Sequence, residues 1–336
     1  MLRIFKELPN EGPPSRISEV CFHPDGELFG ATYQQADEVR LYETRSMALV
    51  RVLRNPCARL NVPHGLLITR KHIIVSNKGV FPSQFSVFRL DDESGRVERT
   101  YTTPFSHLAE AHSIALDGRR LVVSYCEGAG KKGAVVSYNY DDNSGEIKNP
   151  IDIHEAWFRR NGDAKGVSFD GTGQRVFLTF QSDFLGSVPR AARAVVINAL
   201  SRGRFGRTSR NGIVAFGIDP EGRFTRQPIW AKVVPEFCRL ENIHIHGGRA
   251  VVTNADSGRV YIYDLCKSEE FAEPSEMLSK PLVFPHGAKF SPDGKMLVVT
   301  DNGIEVVNHK VAWERYVSPR MDRLIVFSRQ PSEAPV

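Results

Sequence analysis

Apolar and polar positions alternate in short runs, and one such run recurs six times along the chain. Each run has a lead residue, a small or polar residue, and apolar residues at its third and fifth positions, as in 64–68 and 286–290. A period of two is typical of a β-strand with one buried face. A turn follows each run, most clearly at 23–26 and 291–294. The lead residues are Ser18, His64, His112, Lys165, Glu241 and His286.

Further β-rich segments follow each run and complete a repeating unit. A second strand is predicted at positions such as 73–75 and 121–123, and a third at 85–88 and 260–263. Clusters of Asp, Asn and Gly at 91–95 and 141–145 are hairpin signals before a fourth strand. Four antiparallel strands at regular spacing describe the blade of a β-propeller. The intervals between lead residues are 46, 48, 53, 76 and 45, so the long interval holds an insertion and six blades are predicted.

The two ends of the chain favour a closed ring. The last unit ends after its third strand, at 324–327, whereas the first strand, 2–6, has no blade of its own. Pairing that N-terminal strand into the last blade satisfies both open edges. We therefore expect an all-β, six-bladed propeller that occupies residues 1–336 as a single domain. The alternative is a β-sandwich with many hairpins.

Ring closure places the lead residues around one mouth of a central channel, because the innermost strand of each blade lines it. His64, His112, Lys165, Glu241 and His286 are therefore the candidate catalytic residues. The ends of the second strands are expected at the same mouth, where they add candidate substrate-binding residues: Asn77, Glu127, Asp183, Asn254 and Asp301. The alternatives are structural: the histidines hydrogen-bond neighbouring carbonyls, and Lys165 forms an ion pair with Glu241 that plugs the channel.

The insertion of blade four, 183–211, is strongly basic. Six arginines, including Arg190 and Arg193, lie in it, and no acidic residue occurs between Asp183 and Asp219. Residues 189–201 are predicted to form a short helix, with Pro189 in its first turn. We expect this segment to lie over the channel mouth as a lid that offers guanidinium groups to an anionic ligand, or else to be a solvated basic loop. A second long loop, 303–320, contains Trp313 and is expected on the same face.

Composition narrows the class of protein without changing this picture. The 336 residues are 41% hydrophobic and 25% charged, which is ordinary for a globular protein. A net charge of +5 is too small to indicate a nucleic-acid partner, and no apolar run is long enough to span a membrane. The five cysteines are scattered without a C-x-x-C pair, and the N-terminal segment lacks the pattern of a secretory signal. We therefore expect reduced thiols and a cytoplasmic location. The oligomeric state is left open.

The lead segments resemble those of two families of six-bladed propellers, the paraoxonase/arylesterase family and the gluconolactonase (regucalcin-like) family. The resemblance is best from Asn61-Val62-Pro63-His64-Gly65-Leu66 through 73–77 to 85–90. Paraoxonases carry a similar Pro-His-Gly segment whose histidine is implicated in hydrolysis, and His64 inherits that expectation. The Asp-Gly turns and Ser-Gly hairpins also look like those of 6-phosphogluconolactonase-type propellers.

The departures from these families concern the metal. The six-bladed enzymes hold a divalent cation, usually calcium, on Glu, Asn and Asp at the lead positions, and only Glu241-Asn242 is similar here. Calcium takes six to eight oxygen ligands, which this ring does not offer. If a metal binds, His64, His112, Glu241 and His286 suit a divalent transition metal better. A metal-free site is the open alternative.

Two functions of different kinds fit these features. The first is a small-molecule enzyme, a lactonase- or esterase-like hydrolase (or a lyase or isomerase), that acts on an anionic substrate. His64 or His112 would be the base, Glu241 would orient it or accept a proton, and Lys165 would stabilise an oxyanion. The second is a non-catalytic propeller that binds a protein or ligand through its top face.

Overall fold

The computed structural model describes residues 1–12, 15–54, 58–108, 110–126, 133–181, 211–233, 239–266, 271–308, 313–316 and 322–329. Within 304–308 and 313–316 it describes the backbone only. No helix in these ranges is long and apolar enough to cross a membrane. Cys21, Cys126 and Cys266 are free thiols, whereas Cys57 and Cys238 lie outside the described residues.

Six four-stranded antiparallel sheets make up the fold, and strands are numbered here along the chain. Blade one is β2 (Ile17–Phe22), β3 (Leu28–Tyr33), β4 (Glu38–Glu43) and β5 (Leu49–Arg54). Blade two is β6 (Pro63–Ile68), β7 (His72–Asn77), β8 (Gln84–Arg89) and β9 (Arg99–Thr102). Blade three is β10 (Ala111–Asp117), β11 (Arg120–Tyr125), β12 (Ala134–Asp141) and β13 (Glu146–His154). In each of these three sheets the strands follow the order of the sequence from the inside outward.

The second half of the ring repeats this plan. Blade four is β14 (Asp163–Phe169), β15 (Arg175–Gln181), β16 (Asn211–Gly217) and β17 (Trp230–Val233). Blade five is β18 (Leu240–His246), β19 (Arg249–Asn254), β20 (Arg259–Asp264) and β21 (Glu276–Leu278). Blade six is β22 (Pro285–Phe290), β23 (Met296–Asp301), β26 (Arg323–Arg329) and β1 (Leu2–Pro9). A short helix α1 (Phe158–Asn161) precedes blade four, and a 3-10 turn (Ala255–Ser257) follows β19.

Closure of the ring is as predicted. The N-terminal strand β1 pairs antiparallel with β26, from Leu2 opposite Arg329 to Pro9 opposite Arg323, and so completes the last blade. Each inner strand also contacts the inner strands of both neighbouring blades, in a circuit that returns from β22 to β2. The prediction of six blades is therefore confirmed, and the β-sandwich alternative is wrong.

The hydrophobic core is divided into clusters that lie between adjacent blades. One cluster joins Leu41 of blade one to Ile73 of blade two, and the next joins Phe85 of blade two to Val123 of blade three. Equivalent clusters follow around the ring, and the last one packs Val298 and Val326 of blade six against blade one. Because each sheet buries both faces, the apolar positions of neighbouring blades interlock and hold the ring together.

Every inner strand carries a β-bulge at its lead residue. In β6 the pairing with β7 jumps from Pro63 to Leu66, so His64 and Gly65 together face one residue of the partner strand. The same irregularity occurs in the other five inner strands. A bulge inserts one extra residue and re-aims the side chains next to it. As a result, both the lead residue and the residue after it turn toward the channel.

A buried hydroxyl group faces each bulge from the second strand. In all six blades it accepts a hydrogen bond of 2.7–3.1 Å from the backbone N–H of the residue after the lead residue. In five blades it also donates to a backbone carbonyl at the start of the next inner strand, as in Thr253 to His286 at 2.8 Å. The six fully buried residues are Thr32, Ser76, Ser124, Thr179, Thr253 and Thr300.

We expect Thr253→Val to destabilise the protein and Thr253→Ser to preserve most of its stability. Valine has a similar volume but leaves the N–H of Asn242 and the carbonyl of His286 without this partner in the interior. Two such losses should lower the free energy of unfolding by about 2–4 kcal/mol. Urea denaturation measures the difference, and a Thr253→Val variant as stable as Thr253→Ser would show that the hydroxyl bridges contribute nothing.

Candidate functional site

Three lead histidines meet in the channel. The ring centroids of His64 and His112 are 4.0 Å apart, those of His64 and His286 are 5.1 Å apart, and those of His112 and His286 are 5.7 Å apart. Each ring offers one nitrogen, and these nitrogens all lie within 4.8 Å of one another. The three side chains come from blades two, three and six and are 2–3% exposed. Their convergence, which the sequence register anticipated, produces a compact group of imidazoles.

One nitrogen of each imidazole is bound to an acceptor of the protein. His64 Nδ1 lies 2.7 Å from the carbonyl oxygen of His112, and His286 Nδ1 lies 2.8 Å from that of Ser18. His112 Nε2 lies 3.2 Å from Glu241 Oε2. Because carbonyl and carboxylate oxygens only accept, each of these nitrogens carries the proton. The opposite nitrogen therefore presents a lone pair.

The unprotonated nitrogens have few partners. His112 Nδ1 is buried and has no hydrogen-bond partner among the described residues. No described residue hydrogen-bonds His64 Nε2 either, and His286 Nε2 has only Glu241 Oε2 at 3.7 Å. Imidazoles held by a carbonyl or carboxylate on one nitrogen and open on the other are typical of metal ligands.

The electrostatic surroundings keep the imidazoles neutral. Burial lowers the pKa of His112 to about 3, although its hydrogen bond to Glu241 acts in the opposite direction. Burial and the neighbouring His112 hold the pKa of His64 well below its usual value, and burial does the same for His286. Near neutral pH the group therefore offers three uncharged imidazoles, the form in which histidine binds a metal ion.

Glu241 stays ionised although it is 2% exposed. Burial alone would raise the pKa of its carboxyl, but Arg239, His286 and Lys165 together hold that pKa well below its usual range. Arg239 Nε donates to Glu241 Oε1 at 2.5 Å. The ion-pair partner of Glu241 is thus Arg239. Lys165 makes no direct ion pair with Glu241, so the alternative in which these two residues form a plug by direct contact is wrong.

Lys165 is a second cation at this mouth. Its side chain is partly buried, and among the described residues no acceptor hydrogen-bonds its Nζ atom. Burial lowers the pKa of the ammonium, but Cys126, Glu241 and Asp163 outweigh burial and raise it above its ordinary value. Lys165 is therefore positively charged near neutral pH, and its ammonium has no hydrogen-bond acceptor in the part of the chain that the structure describes.

Three cations that sequence reasoning missed complete the mouth. Arg239 immediately precedes the bulge of β18, Arg16 precedes β2, and Lys78 follows β7. The guanidinium groups of Arg16 and Arg239 lie 5.1 and 5.4 Å from the ring centre of Phe284, and Lys78 pairs with Glu110 at 2.9 Å. Arg16 and Arg239 each lie two residues before a lead residue, so they occupy the same position of the repeat in blades one and five. The sequence signal was thus a basic residue flanking the start or end of a channel-lining segment.

A layer of polar side chains closes the channel below the histidines. Glu19 Oε2 accepts from the hydroxyl of Ser113 at 3.1 Å, and Asn242 Nδ2 lies 3.0–3.1 Å from both carboxylate oxygens. These residues follow the lead residues of blades one, three and five, whereas glycines occupy that position in the other three blades. A Cβ on Gly166 would lie 2.4 Å from Ile243 N, and one on Gly287 would lie 2.6 Å from Ser18 O. The plug is thus Glu19–Ser113–Asn242.

The predicted binding residues at the ends of the second strands lie at this mouth but hydrogen-bond the backbone. Asn77 Oδ1 accepts the N–H of Asn61 at 3.1 Å, and Asn254 Oδ1 accepts that of Arg239 at 3.2 Å. Asp301 Oδ1 accepts the N–H groups of Val283 and Phe284, both at 2.9 Å. These contacts hold the loops that lead into the inner strands, and a substrate-binding role for the three residues stays a prediction.

The remaining predicted residues are not positioned by the structure. Glu127, Asp183, Arg190 and Arg193 lie outside the described residues, and the side chain of Trp313 does too. The ends of the insertion are described: Gln181 and Asn211 pair with each other, and Gln181 also pairs with Asp163, two residues before Lys165. The insertion therefore leaves and re-enters blade four at the histidine end of the channel.

Where a plain loop was expected around Trp313, β24 (Ile304–Asn308) and β25 (Trp313–Tyr316) form a hairpin.

Ser18 differs from the other lead residues because it is used within the fold. Its hydroxyl accepts a hydrogen bond of 2.5 Å from Gln34 Nε2, and its carbonyl accepts from His286. It therefore contributes a backbone acceptor to the site instead of a reactive side chain.

The donor set suits a transition metal better than calcium. Three imidazole nitrogens and one nearby carboxylate are borderline ligands of the kind that zinc, iron or nickel accept. Calcium requires six to eight oxygen ligands, which this group does not supply. The positive charges of the nearby Lys165 and Arg239 would also repel a calcium ion that has so few oxygen ligands. The expectation that calcium is disfavoured agrees with this geometry.

The fold has relatives among solved structures, but the sequence matches no family model and no curated protein. Regucalcin from Agrobacterium tumefaciens, described as a calcium-binding protein, is 12% identical with a TM-score of 0.58, over 96% of this chain and 93% of that chain. A luciferin-regenerating enzyme is 10% identical with a TM-score of 0.59, over 94% and 92%. Kuenenia stuttgartiensis hydrazine synthase is 14% identical with a TM-score of 0.54, over 87% and 94%. At these identities the likeness shows the shared propeller fold.

We expect the purified protein to bind about one equivalent of a divalent transition metal such as Zn²⁺, and no Ca²⁺, with His64, His112 and His286 as ligands. Removing one imidazole in His64→Ala or His112→Ala should abolish stoichiometric binding. Glu241→Gln should weaken it by about 10–100-fold, because the carboxylate orients His112. Inductively coupled plasma mass spectrometry and competition with a chromophoric chelator measure both effects.

The matched control is His107→Gln, which removes a histidine outside the cluster that pairs with Glu155. Its metal content should equal that of the wild type. Equal metal content in His64→Ala and the wild type would show that the imidazole group is not a metal centre.

Proposed function

We propose that this protein is a metal-dependent hydrolase that cleaves an ester or lactone carrying an anionic group, at the histidine end of the channel. The observation that carries the proposal is the state of the three histidines. Each has one nitrogen bound to a protein acceptor, and one nitrogen of each ring lies within 4.8 Å of the others. The Nδ1 atom of His112 is buried without a partner among the described residues, but so is one nitrogen of His23 and of His154. The convergence of the three rings therefore carries the proposal.

The chemistry of such a centre explains why hydrolysis is favoured. A bound divalent ion lowers the pKa of a coordinated water toward neutrality and polarises a carbonyl. A catalytic zinc site uses three protein ligands and keeps one position open, and the three histidines would supply those three ligands.

Glu241 acts as an orienting group. Its Oε2 atom holds the Nε2–H of His112, and its Oε1 atom is held in turn by Arg239. Because Arg239, His286 and Lys165 keep the pKa of this carboxyl well below its usual range, it is a strong hydrogen-bond acceptor but a weak general base. Its task is to fix the tautomer and the orientation of the His112 ring.

Lys165 and the arginines of the mouth determine the preferred charge of the substrate. Lys165 has an ammonium without a hydrogen-bond acceptor among the described residues. In this proposal its role is to stabilise the oxyanion that forms when water attacks the carbonyl. Arg16 adds positive charge at the same opening, whereas Arg239 and Lys78 are paired with Glu241 and Glu110. The positive charge of the opening favours a substrate with a carboxylate or phosphate. Enzyme activity within the same architecture, as the name of the luciferin-regenerating enzyme states for that protein, is compatible with this assignment.

We expect the metal-loaded protein to hydrolyse members of a panel of carboxylate-bearing lactones and aryl esters faster than their uncharged methyl-ester analogues. Chelation should abolish turnover and added metal should restore it. Turnover should fall at least about 100-fold in His64→Ala and His112→Ala. Lys165→Met should reduce turnover by about 10–100-fold, because one electrostatic group is lost. Stopped-flow or pH-indicator assays give the rates.

Lys71→Met is the matched control for Lys165→Met, because Lys71 is an exposed lysine before β7, at the opposite end of the blade. It should hydrolyse the same substrates at the wild-type rate. Undiminished turnover in both histidine variants would contradict the proposal, and so would the absence of turnover across the panel by protein that holds its metal.

A further inference from the structure

The channel has a second mouth, at the end opposite the histidines. Beyond the bulge, each inner strand turns one more residue toward the channel, three positions after its lead residue. These residues line a cavity of about 380 Å³. They are Cys21, Leu67, Ala115, Ser168, His244 and Lys289. The Glu19–Ser113–Asn242 plug separates this lower cavity from the histidine site.

Lys289 is the unusual member of the ring. Its side chain belongs to the innermost strand of blade six and is 7% exposed. No hydrogen bond or ion pair joins its ammonium group to any residue that the structure describes. Its Nζ atom is not among the fully buried side-chain atoms that lack a partner, so it faces the open space of the cavity that Lys289 lines. The ammonium is therefore accessible to an acceptor that enters the cavity.

The nearest buried acid does not meet this need. Glu19 interacts with the charge of Lys289, but its oxygens accept from Ser113, from Asn242 and from the N–H of Val20. Burial raises the pKa of the Glu19 carboxyl despite the opposing effect of Lys289. The carboxyl therefore compensates the lysine only in part and makes no direct contact with it.

The lip of the cavity is also short of free negative charge. Asp117 is paired with Arg120, and Asp170 is paired with Arg175 and with the hydroxyl of Thr172. The guanidinium of Arg249 lies 4.4 Å from the ring centre of Phe290, one of the lining residues. An anion that enters this mouth meets neutralised carboxylates and unpaired positive charge.

The wall opposite Lys289 is apolar. Leu67, Ile114, Ala115 and Leu116 line it. Beside Lys289, His244 Nδ1 accepts the N–H of Phe290 at 3.1 Å, so its Nε2 atom carries a proton and is a donor. The Ser168 hydroxyl accepts from Ile245 N–H and donates to Phe169 O, and its hydrogen bonds are made within the protein. The cavity thus has donors on one side and a hydrocarbon surface on the other.

We propose that the lower cavity is a second ligand site, for a small organic monocarboxylate with a short apolar body. The carboxylate binds the ammonium of Lys289, with His244 as a second donor nearby, and the apolar body lies against Leu67 and Ala115. A volume of about 380 Å³ is near the lower end of the range of about 300–1,000 Å³ for small-molecule sites. The site is separate from the histidine centre and does not depend on the reaction proposed there.

Isothermal titration calorimetry with 4-methylpentanoate tests the site on the full-length, metal-loaded protein. We expect saturable binding that is at least about tenfold tighter than that of the uncharged 4-methylpentanamide and than that of inorganic phosphate. Lys289→Met should weaken carboxylate binding at least about tenfold. Ala115→Leu should also weaken it, because it fills the cavity and leaves Lys289 in place.

One surface variant is the control for this site. Lys71→Met removes an exposed lysine that lies outside both sites, and it should leave binding of 4-methylpentanoate unchanged. The metal content of Lys289→Met reports that the propeller is intact. Equal binding by Lys289→Met and the wild type, equal affinity for the amide, tighter binding of phosphate, or no binding by folded wild type would each overturn the proposal.

Discussion

The hydrogen bonds of one buried hydroxyl per blade hold the inner strands in register around the channel. In each blade this hydroxyl satisfies the N–H group that the bulge removes from the ladder, and in five blades it reaches a carbonyl of the next blade. An unpaired N–H or carbonyl at these buried positions would be costly. The bulge, and everything that projects from it, therefore depends on a serine or threonine that itself lies on the neighbouring strand.

The bulge also explains how one short segment supplies two layers of the channel. Strict alternation would place the lead residue on the same face as the apolar third and fifth positions. The extra residue of the bulge breaks this alternation, so that two successive side chains turn toward the channel. His112 therefore lies in the imidazole group, and Ser113, directly after it, lies in the plug. Backbone carbonyls exposed at the same bulges accept from His64 and His286 and select their tautomers. The geometry of the backbone thus decides which nitrogen atoms are open.

Sequence reasoning predicted the six blades, the closure by β1 and the convergence of three lead histidines because each of these follows from a repeated pattern. It missed Glu19 as the centre of the plug, because Glu19 occupies a position that is glycine in half of the blades. It missed Arg239 as the partner of Glu241 and offered Lys165 only as an alternative partner, because ion pairs depend on side-chain reach and not on register. The six buried hydroxyl residues were visible in the sequence, because a Ser or Thr follows an apolar residue in the second strand of each blade, from Thr32 to Thr300.

The order of apolar and polar residues by itself determined the number of blades, the strands that form them and the end of the channel at which each lead residue lies. These properties follow from a period of two and from hairpin turns, which act over a few neighbouring residues. Only the tertiary structure decided which atoms face one another across the channel, which charges are paired and which, like that of Lys289, are left unpaired. Those outcomes depend on distances between residues far apart in the chain, such as Glu19 and Asn242, and no local pattern encodes them.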